Sequence, residues 1–140
     1  MDHGKTEEWL QKVPLFRGLS KKQLRDISGL ATRLDEPAGT VLTKEGKIGH
    51  EFIIVIEGEI EVRKGDQVIA TRGPGDYVGE IALMDHRPRT ATVVAKTPVV
   101  IEVIGQREFR TLLAEAPGLS SDIMSTMAQR LAELDQSGEG

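Results

Sequence analysis

The chain has 140 residues, of which 39% are hydrophobic, and carries a net charge of -4 with no cysteine. This length suits a single domain, residues 1–140, and the lack of cysteine excludes disulfides, thiolate metal ligands and cysteine nucleophiles. Scattered Lys and Arg, with few aromatic residues, argue against nucleic-acid binding. No apolar run approaches the roughly 20 residues of a membrane span, and no secretory signal is visible, so we expect a cytoplasmic protein that does not bind membranes.

The first residues predict two helices. Thr6 is placed to cap a short helix that Pro14 ends. A capping-box pattern follows at residues 20–23, with Leu19 and Leu24 at the positions of a hydrophobic staple. Apolar residues then recur with helical spacing, which predicts a second helix after Ser20.

Short strands are predicted from about residue 32 to residue 104. Residues 52–56 are nearly all apolar, which indicates a strand buried on both faces. The spacing around Gly58 favours a tight hairpin between residues 54–56 and 60–62, with a bulge at Gly58 as the alternative. Many short strands separated by glycine turns predict a barrel or sandwich. Further strands are predicted at residues 40–43, 67–71, 90–95 and 99–104.

Helical periodicity returns after Gly105. Phe109 and the leucines that follow it predict a short helix that Pro117-Gly118 ends. Ser120 or Ser121 is placed to cap a second helix, and residues 136–140 are expected to be a frayed tail. The second helix carries an apolar stripe formed by Ile123, Met124, Met127, Leu131 and Leu134.

Residues 76–91 lie inside the strand region yet break its alternation. Residues 81–84 have the composition of one helical turn and follow Gly79, and such a helix start offers free N–H groups to an anion. Arg89 supplies a planar fork that suits two phosphate oxygens, and Thr90 supplies a hydroxyl donor. Since the carboxylate of Glu80 repels phosphate, it should accept from another group, such as a ribose hydroxyl.

These motifs carry a family resemblance. The chain resembles cyclic nucleotide-binding domains, the family that includes the catabolite activator protein, the regulatory subunits of cyclic-nucleotide-dependent kinases and the cytoplasmic domains of cyclic-nucleotide-gated channels. The similarity runs from Pro14 to Leu131 and is strongest in the Gly-Glu-x-Ala-Leu motif at residues 79–83, followed by Pro-Arg-Thr-Ala at residues 88–91. It implies an α+β fold: an antiparallel β-roll, a jelly-roll-like double sheet, over about residues 32–104, flanked by N-terminal helices and a C-terminal helix pair over about residues 106–135.

The resemblance also implies roles for individual residues. Arg89 would pair with the cyclic phosphate, and the Thr90 hydroxyl would meet the phosphate or, in some members, a guanine. The N–H groups of Ala82 and Ala91 would complete the cradle, and Glu80 would accept from the ribose 2′-OH. The implied ligand is cyclic AMP or cyclic GMP, with cyclic AMP favoured, and the implied protein is a sensor without cofactor or metal rather than an enzyme. The implied ligand-binding set is Gly79, Glu80, Ile81, Ala82, Arg89, Thr90 and Ala91.

The C-terminal helix resembles a mobile lid that closes over the base. The same apolar stripe could instead be core packing, or could form a homodimer seam. An effector protein or an adjoining output domain would then receive the signal. The side chains that the resemblance places against the base are Met124, Met127, Arg130, Leu131 and Leu134.

Two other functions are compatible with parts of the sequence. The chain could be a β-roll interaction domain that no longer uses a ligand, although an intact set of motif residues argues against this. It could be a cupin-like metalloenzyme, but His50 and His86 lack a partner at the spacing that metal ligands usually show. No Ser, His and Asp set with a supporting motif is present for nucleophilic catalysis.

Overall fold

The computed structural model describes residues 4–83 and 88–137, apart from the side chains of residues 5, 80, 81, 127 and 130–137. The chain forms two units: residues 31–108 make up one, and residues 1–30 together with 109–140 make up the other. All of the described strands belong to the first unit, and most of the helical residues belong to the second.

The strand unit consists of two four-stranded sheets with antiparallel neighbours. One sheet has the order β1-β8-β3-β6 and the other has the order β2-β7-β4-β5. The α+β class with a double antiparallel sheet is therefore confirmed. The strands are β1 Thr32–Glu36, β2 Val41–Thr43, β3 Glu51–Glu57, β4 Ile60–Lys64, β5 Gln67–Arg72, β6 Tyr77–Val78, β7 Thr92–Ala95 and β8 Val99–Gly105.

A core of mainly β-branched residues lies in the strand unit. Such side chains suit a pleated surface, and each one fully buried stabilises the fold by about 1.5–3 kcal/mol. The central strand β3 has four consecutive buried residues, as predicted for a strand covered on both faces. The buried cluster comprises Ile53, Val55, Ile60, Val93, Ala95, Val99 and Ile101.

The predicted hairpin between residues 54–56 and 60–62 is wrong. Strand β3 pairs with β6 and β8, whereas β4 pairs with β5 and β7, so the connection at Gly58 carries the chain from one sheet to the other. Gly58 has a φ of +86°, and a Cβ there would lie 2.8 Å from the Thr97 hydroxyl oxygen. The irregularity in β3 falls between Val55 and Glu57, not at Gly58.

Helices and a 3₁₀ turn precede the strands, and further helices follow them. Phe16 and Phe109 are fully buried, and their ring centroids lie 5.9 Å apart, so a residue that precedes the strands packs against one that follows them. Helix α1 is Gly4–Leu10, the 3₁₀ turn is Pro14–Phe16, α2 is Lys21–Ser28, α3 is Gln106–Glu115 and α4 is Pro117–Ser137.

The start of α2 confirms the predicted capping box. The Ser20 hydroxyl oxygen accepts from the Gln23 N–H at 3.1 Å, and the Gln23 side-chain oxygen accepts from the Ser20 N–H at 2.9 Å. Leu24 and Ile27 are buried on the apolar side of this helix. The exchange satisfies two N–H groups that a helix end otherwise leaves unpaired.

Two predicted helix starts are wrong. Thr6 lies inside α1 and is fully buried, so it does not cap the helix, and Pro14 begins the 3₁₀ turn four residues beyond its end. Helix α4 begins at Pro117 and not after Ser120 or Ser121, because a proline has no N–H to leave unpaired at the first helical position. The helix includes Gln136 and Ser137 of the expected tail, and residues 138–140 lie outside the described residues.

Across residues 4–83 and 88–137, every helix is too short or too polar to cross a bilayer.

The capping box generates a stability prediction. Ser20→Ala removes the acceptor for the Gln23 N–H, and we expect the free energy of unfolding to fall by about 1 kcal/mol in chemical denaturation. Ser121→Ala is the matched control, since Ser121 is exposed inside α4 and should not lose stability. Equal losses in the two variants would contradict the assigned role of Ser20.

Candidate functional site

The backbone of Arg89 is held by the loop that precedes β3. The Arg89 N–H donates to the Lys47 carbonyl oxygen at 2.8 Å, and the Gly46 N–H donates to the Arg89 carbonyl oxygen at 2.9 Å. One residue away, Ile48 and Pro88 form an isolated antiparallel bridge. These bonds fix Arg89 just ahead of β7, although it lies about 40 residues from its partners in the sequence.

The guanidinium of Arg89 occupies a slot between Gly49 and Gly79. A Cβ on Gly49 would lie 2.5 Å from Arg89 Cζ and 2.8 Å from Arg89 Cδ, and a Cβ on Gly79 would overlap Arg89 Nη1. Real Cβ atoms do not approach so closely, so both positions need glycine for Arg89 to keep this conformation. We call this feature the glycine slot.

The third wall of the glycine slot is the start of β3. Arg89 Nη2 donates to the Glu51 carbonyl oxygen at 2.5 Å. Burial lowers the pKa of the Arg89 guanidinium below its ordinary value, and the negative charge of Glu51 opposes this shift. Arg89 is thus a half-buried cation whose direction is set by a main-chain acceptor.

A 3₁₀ turn, Glu80–Leu83, follows directly from the glycine slot. Gly79 has a φ of +81°, a conformation in which a residue with a side chain would be strained. The Ala82 N–H donates to the Gly79 carbonyl oxygen at 3.0 Å. Ala82 and Leu83 are buried and anchor the turn. The predicted helical turn after Gly79 therefore exists as a 3₁₀ turn, and in this conformation the Ala82 N–H donates within it.

The position of Gly79 is set by β6 and its approach. The Tyr77 ring stacks on the Phe52 ring, with centroids 5.8 Å apart. The Val55 N–H donates to the Asp76 carbonyl oxygen at 2.9 Å, and the Asp76 carboxylate accepts from the Gly73 N–H at 2.8 Å. These contacts bring the end of β6, and with it Gly79, to the first residues of β3.

Thr90 and Ala91 continue the chain from the glycine slot towards β7. Thr90 is exposed. The Ala91 carbonyl oxygen accepts from the Thr43 hydroxyl at 3.3 Å, and the Thr92 hydroxyl accepts from the Glu45 N–H at 3.0 Å. The segment after Arg89 is therefore tied to β2 and to the residues that follow it.

The structure brings Gly79, Ala82 and Arg89 together, and Thr90 and Ala91 follow Arg89 in the chain. The side chains of Glu80 and Ile81 lie outside the described residues, as do residues 84–87, which include His86. Met124 is exposed on α4. The other predicted base contacts, the side chains of Met127, Arg130, Leu131 and Leu134, also lie outside the described residues.

Sequence reasoning missed two members of the site, Gly49 and Glu51. In the sequence pattern, Gly49 indicates only a turn before a strand. A possible signal was the pair Gly46 and Gly49 in one short loop, where a single turn needs only one glycine. The part played by the Glu51 carbonyl oxygen has no sequence signal, because any residue carries a carbonyl.

Within the described part of the chain, no group of three or more His, Cys, Asp or Glu residues could hold a metal ion. The site offers the guanidinium of Arg89, an exposed threonine at position 90 and a short 3₁₀ turn. A half-buried guanidinium interacts with an anion more strongly than one in open water, and its planar shape suits two oxygens of one phosphate. The arrangement is therefore suited to binding a compact oxyanion.

A family profile described as "Cyclic nucleotide-binding domain" matches residues 35–116 of the chain. This range contains the glycine slot, the Glu80–Leu83 turn and the segment from Arg89 to Ala91.

Individual relatives agree with the profile. The chain is 34% identical over 136 residues to a cAMP-dependent protein kinase regulatory subunit of Blumeria graminis, covering 96% of this chain and 34% of the relative. It is similar to the N-terminal domain of a transcriptional regulator of Streptomyces coelicolor A3(2), with a TM-score of 0.82, 27% identity, and coverage of 92% of this chain and 94% of that one.

A second solved structure is the regulatory domain of Toxoplasma gondii PKA with cAMP. Its TM-score is 0.71 with 31% identity, and the match covers 78% of this chain and 43% of that one. The chain spans about a third of the length of the curated relative from Blumeria graminis and about a quarter of the length of the one from Schizosaccharomyces pombe.

The glycine slot generates a second stability prediction. We expect Gly79→Ala to lower the free energy of unfolding by about 1–3 kcal/mol, because the methyl group meets both the positive φ and the Arg89 guanidinium. Gly73→Ala is the matched control, since a Cβ on Gly73 would meet no atom within 4 Å and its φ is not positive. Urea denaturation in which both variants change alike would disprove the slot.

Proposed function

The chain belongs to the cyclic nucleotide-binding domain family, and from this premise we propose that it binds a cyclic mononucleotide and acts as a ligand sensor. The observation that carries the proposal is the half-buried Arg89, held in the glycine slot next to the Glu80–Leu83 turn. A cation with a fixed direction beside a turn suits the single charge and two free oxygens of a cyclic phosphate.

In the proposed complex, Arg89 pairs with the phosphate and the Thr90 hydroxyl donates to it. The N–H groups of Ala82 and Ala91 complete the cradle. Because the Ala82 N–H donates to the Gly79 carbonyl oxygen, we expect this bond to lengthen or to be shared when the phosphate binds. Gly79 allows the close approach of backbone and ligand, and Ile81 is proposed as a further member of the ligand-binding set.

Glu80 is proposed to bind the ribose. Its place directly after Gly79 puts it next to the phosphate site, where a carboxylate would repel the phosphate. Accepting a hydrogen bond from the ribose 2′-OH gives that carboxylate a favourable partner. This role separates a cyclic nucleotide from a generic phosphate as the ligand.

We propose cyclic AMP in preference to cyclic GMP. The curated relatives named above are cAMP-dependent protein kinase regulatory subunits, and the structure from Toxoplasma gondii was determined with cAMP. Parallel titration of the two nucleotides measures the preference directly.

The wider setting of the chain is also proposed. Residues 1–140 would form one cytoplasmic domain without enzymatic activity, which passes its signal to an effector protein or an adjoining output domain. The C-terminal helix, α4, would act as the lid or as a homodimer seam. Contacts made only in the closed state would shift the helix towards closure when the ligand binds.

The first binding prediction concerns the phosphate. We expect Arg89→Ala to lose about 2–5 kcal/mol of binding free energy, roughly thirtyfold or more in the dissociation constant for cyclic AMP, because the phosphate loses its charged partner. Isothermal titration calorimetry measures this loss. Arg110→Ala, which removes the same charge from an exposed position on α3, is the control. Unchanged affinity in Arg89→Ala would rule out this phosphate site.

The second binding prediction concerns the ribose. We expect Glu80→Ala to weaken cyclic AMP by about 1–3 kcal/mol, but to leave the affinity for 2′-deoxy-cyclic AMP nearly unchanged, since that ligand lacks the hydroxyl. The four affinities form a double-mutant cycle that isolates the contact. A cycle with no coupling energy would assign Glu80 to another role.

A further inference from the structure

We propose that the carboxylate of Glu51 lowers the affinity of the site for its phosphate ligand and so sets the ligand concentration at which the sensor responds. The inference rests on the proposed function, and it adds a residue that the family motifs at residues 79–83 and 88–91 do not contain.

The backbone of Glu51 is part of the glycine slot. Its carbonyl oxygen accepts from Arg89 Nη2 at 2.5 Å. The same oxygen lies 2.8 Å from the position that a Cβ on Gly79 would take. Residue 51 is therefore adjacent both to the cation and to the glycine that opens the Glu80–Leu83 turn.

The side chain of Glu51 is not what holds Arg89. The carboxylate forms none of the ion pairs found within 4.0 Å among the described residues, and residue 51 is exposed. The bond to Arg89 comes from the main chain, which a substitution leaves in place. The charge of Glu51 can therefore be removed without removing the anchor of Arg89.

The charge of Glu51 nevertheless acts on Arg89. It favours the charged form of the guanidinium and raises the pKa of Arg89 against the lowering caused by burial. Because the main chain of Glu51 contacts the guanidinium, its carboxylate stays within Coulomb range of an anion bound by Arg89, and like charges repel. For charges roughly 6–10 Å apart and a dielectric constant between that of a protein surface and that of water, Coulomb's law makes this repulsion worth about a two- to tenfold change in affinity.

Glu57 provides a matched control. It lies at the opposite end of the same strand, β3, and is also exposed. Six residues of extended strand put it about 20 Å from Glu51, more than twice the screening length of about 8 Å at physiological salt. Glu51→Gln and Glu57→Gln change the net charge equally, so a difference in ligand affinity between the two variants comes from where the charge was removed.

The experiment titrates cyclic AMP and inorganic phosphate into the wild type, Glu51→Gln and Glu57→Gln, at a low salt concentration of about 150 mM and a high one of about 1 M, where the screening lengths are about 8 Å and about 3 Å. We expect Glu51→Gln to bind both ligands about two- to tenfold more tightly at low salt, with slower dissociation of cyclic AMP. The gain should fade at high salt. Glu57→Gln should match the wild type.

Salt dependence separates this role from a structural one, because a change in the shape of the site would persist at high salt. Equal or weaker binding by Glu51→Gln at low salt, or equal tightening by Glu57→Gln, overturns the role of Glu51 while leaving the proposed function intact. A wild type that binds neither ligand overturns the proposed function, and this inference with it.

Discussion

The site depends on one constraint: the guanidinium of Arg89 has to lie half-buried between two residues that have no side chain. Gly49 and Gly79 leave the space, and the Glu51 carbonyl oxygen fixes the direction of the fork. Burial disfavours the charged form, so the site holds a cation that gains from meeting an anion. Free-standing arginines on the surface lack this property, because water already solvates them fully.

The double sheet positions the three residues that form that slot. Gly49 precedes β3, Gly79 follows β6, and Arg89 precedes β7. Strands β3 and β6 pair in one sheet, whereas β7 belongs to the other. The slot therefore combines residues next to strands of both sheets. The crossing at Gly58 carries β4 into the sheet that contains β7, where the two strands pair. A hairpin at Gly58 would instead keep β4 beside β3 and leave β7 without β4 as its neighbour.

The parts of the fold that sequence could predict are those fixed by nearby residues. The capping box of Ser20 and Gln23 is local, and so is the buried run of β3. The Gly58 hairpin failed because a tight turn and a crossing between sheets use the same glycine-centred pattern, and only distant strand pairing distinguishes them. Gly49 and Glu51 were missed for the same reason, since their contact with Arg89 spans about 40 residues.

An arginine site with an acidic neighbour binds more weakly than its geometry permits, and for a sensor this is an advantage. A ligand shifts a two-state protein only through its different affinities for the two states, so uniform tightness adds nothing to the signal. Slow release would instead prolong the signal after the ligand concentration falls. The carbonyl of Glu51 directs Arg89, and its carboxylate is the group that we propose opposes the bound anion, so the same residue would bear on both the geometry of the site and its affinity.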